Sequence, residues 1–204
     1  MANSEINSPE IWAIILAGGE SKRMKQPKLL LPFRGKTIIE TVVKNVTDSN
    51  VDKTMVILGA VVRPILRLIS EFPVTHYYND NYKDGMLSSV KCGFRNLPGE
   101  LQAVLVFQGD QPLISPLIVN EVINAWRESG KGIVIPVCGG KRGHPILIDR
   151  KYRDEIEKLK DEDGLRSLSV KFSDDVLEVA VDSPEILMDI DTQEDYINAI
   201  NKTK

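Results

Sequence analysis

Two glycines followed by a cluster of cationic side chains near the start of the chain have the chemistry of a phosphate site. Gly18 and Gly19 follow an apolar run, and Arg23 and Lys28 come shortly after them. Without a Cβ, the glycines let successive backbone N–H groups turn toward an anion. Arginine offers a fork of donors to phosphate oxygens, and lysine offers a point charge. Residues 16–28 therefore predict a nucleotide-binding loop, and the alternative is a loop with a solvated basic surface.

This loop matches neither of two common phosphate-binding patterns. Residues 16–28 contain no G-x-x-x-x-G-K-[ST] and no G-x-G-x-x-G. The sequence therefore supports neither a Walker-type NTPase nor a Rossmann dinucleotide fingerprint.

A carboxylate follows another apolar run, residues 103–107, in the middle of the chain. In open parallel sheets, ligands bind at the carboxyl ends of the strands. Asp110 would lie at that edge, where its oxygens can hold Mg²⁺ against phosphate oxygens. The alternative, a turn residue that caps the next helix, stays open.

A second pair of acids, Asp189 and Asp191, lies near the end of the chain. Strand alternation over residues 186–190 would place both on one face, with Ile190 buried opposite. One of them would complete the Mg²⁺ site with Asp110, and the sequence leaves open which one. Thr192 with Asp195 fits a capped helix start after them.

Two further segments carry polar groups suited to substrates. Ser88 and Ser89 lie in the first turn of a predicted helix, where they can hydrogen-bond a base or ribose or can simply cap the helix. Residues 140–145 combine a Gly-rich turn with two cations and His144. They can receive an anionic second substrate or form a solvent-exposed hairpin turn.

Strand-like runs alternate with amphipathic helical patterns along most of the chain, which is typical of the α/β class. We expect a Rossmann-like three-layer α/β/α fold with a mainly parallel sheet and a small β elaboration in the C-terminal third. The predicted strands are residues 11–17, 53–58, 74–78, 103–107, 132–137 and 144–148, with a further β pair at 176–181 and 186–190. The predicted helices are residues 37–48, 63–72, 86–97 and 151–160, with others from 115, after 163 and from 192.

Composition narrows the function classes. The chain has 204 residues and a formal net charge of −3, which argues against a general nucleic-acid binder. It has no apolar run long enough for a membrane span, and residues 1–10 are polar, so we expect a cytoplasmic protein with a flexible N-terminal segment. Cys92 and Cys138 indicate neither a disulfide framework nor, with His76 and His144, a zinc site. We expect one domain over residues 1–204.

Taken together in order, these motifs resemble the molybdenum cofactor cytidylyltransferases, within the wider family of MobA-like NTP transferases. The resemblance runs from residue 16 to residue 195. The matching residues are Leu16-Ala17-Gly18-Gly19, Arg23-Met24, Lys28-Leu29-Leu30-Leu31-Pro32, Gly85-Met86, Ser88-Ser89, Gly109-Asp110-Gln111-Pro112, Gly143-His144-Pro145, Asp163-Gly164 with Arg166, and Asp189-Ile190-Asp191-Thr192 with Glu194-Asp195.

The resemblance implies a nucleotidyltransferase that transfers CMP from CTP to the terminal phosphate of molybdenum-loaded molybdopterin and releases pyrophosphate. It implies Mg²⁺, with Mn²⁺ as an alternative, and possible delivery of the product to a molybdenum hydroxylase, with no nucleic-acid or membrane partner. Residues 138–190 would form the acceptor side. The implied catalytic residues are Lys28, Arg23 and Asp110; the metal ligands are Asp110 with Asp189 or Asp191; the substrate-binding residues are Leu16, Ala17, Gly18, Gly19, Ser88, Ser89, Gly109, Gly143, His144 and Pro145.

Three alternatives remain open at this point. The first is GTP as the nucleotide donor, because Gly18 is more typical of the guanylyltransferase group, whereas Gln111 and residues 28–32 are typical of the cytidylyltransferase group. The same chemistry with another NTP, or with another acceptor such as a sugar or isoprenoid precursor phosphate, is the second alternative. A non-catalytic cofactor carrier is the third.

Overall fold

A computed structural model of the protein describes residues 10–160 and 164–202. Residues 1–9 of the predicted flexible segment, which was residues 1–10, and the motif residue Asp163 lie outside these ranges. Within them, no helix combines the length and apolar character that crossing a membrane requires.

The alternation of strands and helices predicted from the sequence is confirmed. The strands are β1 (Ile11–Ala17), β2 (Pro32–Phe33), β3 (Lys36–Thr37), β4 (Lys53–Leu58), β5 (Val74–Tyr78), β6 (Ala103–Gln108), β7 (Ile133–Cys138), β8 (Lys141–Arg142), β9 (Ile146–Asp149) and β10 (Val176–Ala180). The helices are α1 (Ile38–Thr47), α2 (Val62–Ile69), α3 (Met86–Asn96), α4 (Pro116–Ser129), α5 (Arg153–Lys158), α6 (Arg166–Lys171) and α7 (Gln193–Asn201).

The main sheet runs in the order β10-β7-β9-β6-β1-β4-β5, and β8 extends it as a hairpin partner of β7. Strand β9 is antiparallel to both of its neighbours, and the other adjacent pairs on this path are parallel. The mainly parallel sheet predicted from the sequence is therefore confirmed.

Strand β1 is apolar on both faces because helices cover both sides of the sheet. Ala13 and Ile15 pack into a core with residues of α1, α2, α4 and α7. Trp12 and Ile14 face the opposite core, which includes residues of α3, α5 and α6. These two cores on either side of one sheet form the expected three-layer α/β/α architecture.

The chain changes direction across the sheet at β1. After β1 it builds β4 and β5 on one side, and it then returns to place β6 on the other side. The carboxyl ends of β1 and β6 are joined by a hydrogen bond from the Gly109 amide to the Leu16 carbonyl, 2.9 Å long. A crevice outside such a switch point is the usual ligand site of an open α/β sheet.

One predicted element is wrong. Residues 186–190 do not form a strand, and a 3-10 helix spans Pro184–Leu187 instead. Pro184 has no backbone N–H for a sheet hydrogen bond, and its fixed φ angle suits the first turn of a helix. Strand β10 pairs with β7 in parallel rather than with this segment. The alternation was nonetheless right about Ile190, which is buried and whose amide donates to the Asp110 carbonyl at 3.1 Å.

Candidate active site

The loop after β1 places Gly18 and Gly19 at the switch point. A Cβ added at Gly18 would lie 3.1 Å from Ser89 Oγ, whereas Gly19 has open space beside it. Ser21 and Lys25 adopt positive φ angles of 54° and 55°, which turn the chain back through a short 3-10 helix. The loop therefore brings Arg23 to the mouth of the crevice while Gly18 packs against α3.

Lys28 lies at the centre of a charge cluster drawn from three parts of the chain. Its Nζ donates to Asp110 Oδ2 and, at 2.8 Å, to Asp191 Oδ1. Arg23 Nη2 donates to the other oxygen of Asp191 at 2.6 Å. The Lys28 and Asp110 side chains are each 13% exposed, and Arg23 is 69% exposed. The structure therefore brings the three predicted catalytic residues and Asp191 together.

Opposite charges dominate the electrostatics of this cluster. Burial by itself lowers the pKa of Lys28, but the neighbouring Asp110 and Asp191 carboxylates outweigh it and raise the pKa above its usual value. Burial likewise favours a raised pKa for Asp191, but Lys28 and Arg23 hold that pKa below its usual value. Lys28 and Asp191 are thus charged at neutral pH.

Asp189 has a different environment from Asp191. Its Oδ1 accepts a hydrogen bond of 2.5 Å from Nε2 of Gln111, which is buried. Burial, followed by repulsion from Asp110, raises the pKa of Asp189. The sequence left open which of these two acids joins Asp110. In the structure, Asp191 and Asp110 both accept hydrogen bonds from the Lys28 ammonium, whereas Asp189 accepts one from the Gln111 side-chain amide.

The donor set at Asp110 fits a divalent cation held together with substrate. Asp110 Oδ1 is buried and has no hydrogen-bond partner, while Oδ2 and Asp191 share the Lys28 ammonium. Within residues 10–160 and 164–202, no group of three or more His, Cys, Asp or Glu side chains is placed to hold a metal by itself. Mg²⁺ is commonly bound by one or two carboxylates plus phosphate oxygens, so two acids suffice here.

Asp110 does not cap the helix that follows it. Ser115 is the N-cap of α4, and its side chain accepts from the Ile118 amide. The capping alternative for Asp110 is therefore wrong. In contrast, the predicted capping role of Thr192 is confirmed, because Thr192 and Asp195 form a reciprocal capping box at α7.

The two serines of α3 occupy different positions. Asn79 Nδ2 donates to both hydroxyls, at 2.9 Å to Ser88 and 3.0 Å to Ser89. Ser88 Oγ also lies 2.8 Å from the carbonyl oxygens of Asn81 and Gly85, so it braces the loop before α3. Ser89 instead lines the crevice beside Gly18.

We define the loop crevice as the two adjoining cavities that share Gly19, Ser21, Lys28, Tyr82 and Gly85. Their volumes are about 250 and 320 Å³. The inner cavity is also lined by Leu16, Gly18, Ser89 and Asp110, and the outer one by Arg23 and Asp191. Ala17 and Gly109 lie behind this surface, where a Cβ at Gly109 would come within 2.7 Å of the Leu16 carbonyl.

We define the hairpin cavity as the separate space of about 610 Å³ beside the β7–β8 hairpin. Its apolar floor consists of Ile133, Ile135, Ile146, Ile148, Leu165 and Leu168. Its polar rim includes Arg142 and Arg166, and Arg142 pairs with Glu178 at 2.7 Å. The solvent-exposed hairpin turn considered as an alternative is correct only in part: the turn lies at residues 139–140 and β8 is exposed, whereas Gly143 and Pro145 are buried.

Three of the predicted substrate-binding residues lie in this hairpin region. Gly143 and His144 line the hairpin cavity, and Pro145 is buried behind them. A Cβ at Gly143 would lie 2.4 Å from the Ile186 carbonyl oxygen, so the backbone passes too close for a larger residue. The sequence-predicted residues are therefore divided between two cavities.

Sequence reasoning missed Asn79, Tyr82 and Gln108. Tyr82 lines both parts of the loop crevice, and Gln108 lines the inner part. Asn79 follows β5 at the same sheet edge as Asp110, so its position at a strand end was an available signal. Nothing in the local sequence marked Tyr82.

A parallel sheet with a glycine loop, a buried lysine and a carboxylate at its switch point defines the class of α/β enzymes that transfer nucleotides. The family of MobA-like NTP transferase domains matches residues 13–179. The chain belongs to this family and is a nucleotidyltransferase.

Individual relatives agree with this placement. The chain is 27% identical to the molybdenum cofactor cytidylyltransferase of Escherichia coli (strain K12), over 93% of this chain and 95% of that protein. It is 30% identical to a probable molybdenum cofactor guanylyltransferase of Natranaerobius thermophilus, over 64% of this chain and 62% of that protein.

Solved structures share the fold. The crystal structure of Rv0371c from Mycobacterium tuberculosis H37Rv superposes with a TM-score of 0.86 at 22% identity, covering 96% of this chain and 100% of that one. A manganese complex of the same protein gives a TM-score of 0.79 at 22% identity, covering 94% and 98%.

Proposed function

We propose that the protein transfers CMP from CTP to the terminal phosphate of the molybdenum-loaded molybdopterin cofactor, forming the cytosine dinucleotide and pyrophosphate. The observation that carries the proposal is the pair of adjoining sites, a charged crevice at the switch point and an apolar-floored cavity next to it. The Escherichia coli relative, which aligns over nearly the whole of both chains, supports the choice of substrates.

The loop crevice binds the nucleotide in this proposal. Backbone amides of Gly18 and Gly19 face the phosphates, and exposed Arg23 reaches the outer ones. Leu16, Ala17 and Gly109 form the strand ends that support the site. Ser89 lies on the base side, and Ser88 holds that side in place through Asn79.

Asp110 and Asp191 hold the divalent cation, Mg²⁺ or Mn²⁺. The cation supplies charge neutralisation for the triphosphate. Asp189 orients Gln111 beside this pair rather than binding the cation. The manganese complex of the Mycobacterium tuberculosis relative supports a divalent cation in this fold.

The hairpin cavity takes the acceptor. Its isoleucine and leucine floor suits a flat heterocyclic ring system, and the cations on its rim suit the acceptor's phosphate. Gly143, His144 and Pro145 form the wall nearest the crevice. Residues 138–190 are thus the acceptor-side part of a single domain over residues 1–204.

The reaction makes one bond and breaks one bond. An oxygen of the acceptor phosphate attacks the α-phosphorus of CTP, and the bond from that phosphorus to the bridging oxygen breaks, so the electron pair leaves with pyrophosphate. Lys28 exchanges its carboxylate partners for phosphate oxygens and stabilises the charge that develops on them. Positioning and charge stabilisation, rather than covalent catalysis, provide the rate enhancement.

Two residues and two relatives bear on whether the donor is CTP or GTP. Gly18 and the Natranaerobius thermophilus relative favour GTP, while Gln111 and the Escherichia coli relative favour CTP. We favour CTP because that alignment extends over 93% of the chain, including residues of both cavities.

The test is pyrophosphate release with CTP, GTP and ATP in parallel, each with Mg²⁺ and molybdenum-loaded molybdopterin. Turnover with CTP above the other donors supports the proposal. A preference for GTP would assign the protein to the guanylyl reaction. Cofactor binding without turnover by any donor would favour a carrier that delivers its cargo to a molybdenum hydroxylase.

A further inference from the structure

The loop crevice and the hairpin cavity meet at one side-chain contact that no motif indicated. Gln108 is the last residue of β6 and lines the crevice, whereas His144 lines the cavity. The Gln108 amide nitrogen lies 3.2 Å from His144 Nδ1 and 3.4 Å from Nε2. Met86, the first residue of α3, borders both spaces, so they are neighbours.

The backbone at His144 is fixed, which leaves the ring orientation to be set by its side-chain partner. The His144 amide donates to the Ile186 carbonyl at 3.1 Å, and the Gly143 amide donates to the Pro136 carbonyl at 2.8 Å. Close packing of Gly143 against Ile186 prevents this segment from shifting. The recorded hydrogen-bond partner of the ring is Gln108.

The contact requires a neutral imidazole. Because the amide nitrogen is almost equidistant from both ring nitrogens, its N–H groups lie over the face of the ring, and such a donor would be repelled by an imidazolium. Burial supports this state, because it lowers the pKa of His144 to about 4. The charged groups lining the same cavity are Lys141, Arg142, Arg166 and Glu178. This contact selects neither ring nitrogen, so the N–H of the neutral ring can donate to a ligand in the cavity.

We propose that Gln108 is a positioning residue that fixes the orientation of His144, so that the neutral ring can align the acceptor's attacking phosphate. A neutral donor can orient a phosphate oxygen without neutralising it, whereas a cation would reduce its nucleophilicity. This inference rests on the proposed function, because it assumes that the acceptor occupies the hairpin cavity.

The variant that isolates this role is Gln108→Met, which keeps the side-chain length and removes the donor. We expect the KM for the acceptor to rise about tenfold, the usual effect of losing one hydrogen bond, and the KM for CTP to rise less, because Gln108 lines the crevice without contacting the charge cluster around Lys28. The matched control is Gln102→Met, an exposed glutamine just before the other end of β6, which should leave both constants unchanged. Gln108→Asn, which keeps the amide but shortens its reach, serves if the first variant does not fold.

The second readout is ¹⁵N NMR of the two histidines, His76 and His144, with His76→Gln used for assignment. Wild-type protein should show His144 as a neutral ring at pH 7, and Gln108→Met should shift its ring-nitrogen resonances because the amide beside the ring is lost. Unchanged His144 resonances in Gln108→Met, or equal changes in both KM values, would overturn the inference. If wild type transfers nothing to the acceptor, the proposed function fails, while the NMR pattern still decides whether Gln108 fixes the ring.

Discussion

The loop crevice and the hairpin cavity solve different physical problems. In the crevice, Lys28, Asp110 and Asp191 form a nearly buried network of opposite charges. In the cavity, the floor is apolar, and burial keeps His144 neutral. The crevice is suited to bind and stabilise charged phosphates, whereas the cavity is suited to recognise the shape of the acceptor and orient it. A substitution in the crevice should therefore lower the rate or change the base selectivity, whereas one in the cavity should weaken acceptor binding.

The largest effect is expected for Asp110→Asn. This variant keeps the side-chain volume but removes the negative charge that pairs with Lys28 and replaces one carboxylate oxygen by an NH2 group, so turnover should fall by about 10³-fold or more. Pyrophosphate release at saturating substrates measures the loss, and thermal unfolding checks that the fold is kept. Asp48→Asn, which changes an exposed carboxylate paired with Lys44, is the matched control. A rate within a few-fold of wild type would remove Asp110 from the mechanism.

The next effect is expected for Lys28→Met, which retains the stem and loses the ammonium. Turnover should fall on the order of 10²-fold, the usual loss for a preorganised electrostatic donor. The measurement is kcat for pyrophosphate release, with Lys44→Met as a control on an exposed lysine. A kcat close to that of wild type would support the alternative that residues 16–28 form a loop with a solvated basic surface.

The hairpin cavity should show its own pH signature. Because the pKa of His144 is about 4 when folded and near 6.5 when unfolded, the unfolded chain binds the extra proton between those values. Stability should therefore fall as the pH drops from 6.5 toward 4, with a slope of up to about 1.4 kcal/mol per pH unit from this group. Urea unfolding at several pH values measures the slope.

His144→Asn should remove that contribution, and His76→Gln, on the exposed edge strand β5, should retain it. An unchanged slope in His144→Asn would show that the ring is not held neutral by burial.

The smallest effect is expected for Gly18→Ala, which sharpens the question of base choice. The added methyl would press on Ser89 Oγ at 3.1 Å, so the ratio of CTP to GTP turnover should change by less than about tenfold. Gly19→Ala, which meets open space, should leave the ratio unchanged. An equal ratio of CTP to GTP turnover in both variants would show that Ser89 does not contribute to the choice of base.

The sheet was largely predictable, because its strands are apolar runs between turn residues. The bounds of β1, β4 and β5 agree with the sequence prediction residue for residue. The strand predicted at residues 186–190 is wrong because alternation over a short run does not distinguish a strand from a 3-10 turn and loop that bury Ile186 and Ile190.

The site was predictable in its residues but not in its contacts. Asp110 was marked by a strand end and the two cations by a glycine turn, whereas the pairing of Lys28 with Asp191 depends on where the last segment at the sheet edge packs. The sequence could not choose between Asp189 and Asp191, because their contacts, with Gln111 and with Lys28, form only in the fold. The Gln108–His144 contact arises from the antiparallel insertion of β9 beside β6, which no local pattern indicated.

The most direct test of the division between crevice and cavity uses CTP labelled in turn at the α- and γ-phosphorus, with Mg²⁺ and molybdenum-loaded molybdopterin. The account predicts that the α-label appears in the pterin dinucleotide and the γ-label in pyrophosphate. Transfer of the γ-label to the pterin, or retention of both labels in CTP by folded protein, would contradict nucleotidyl transfer from the loop crevice to the hairpin cavity.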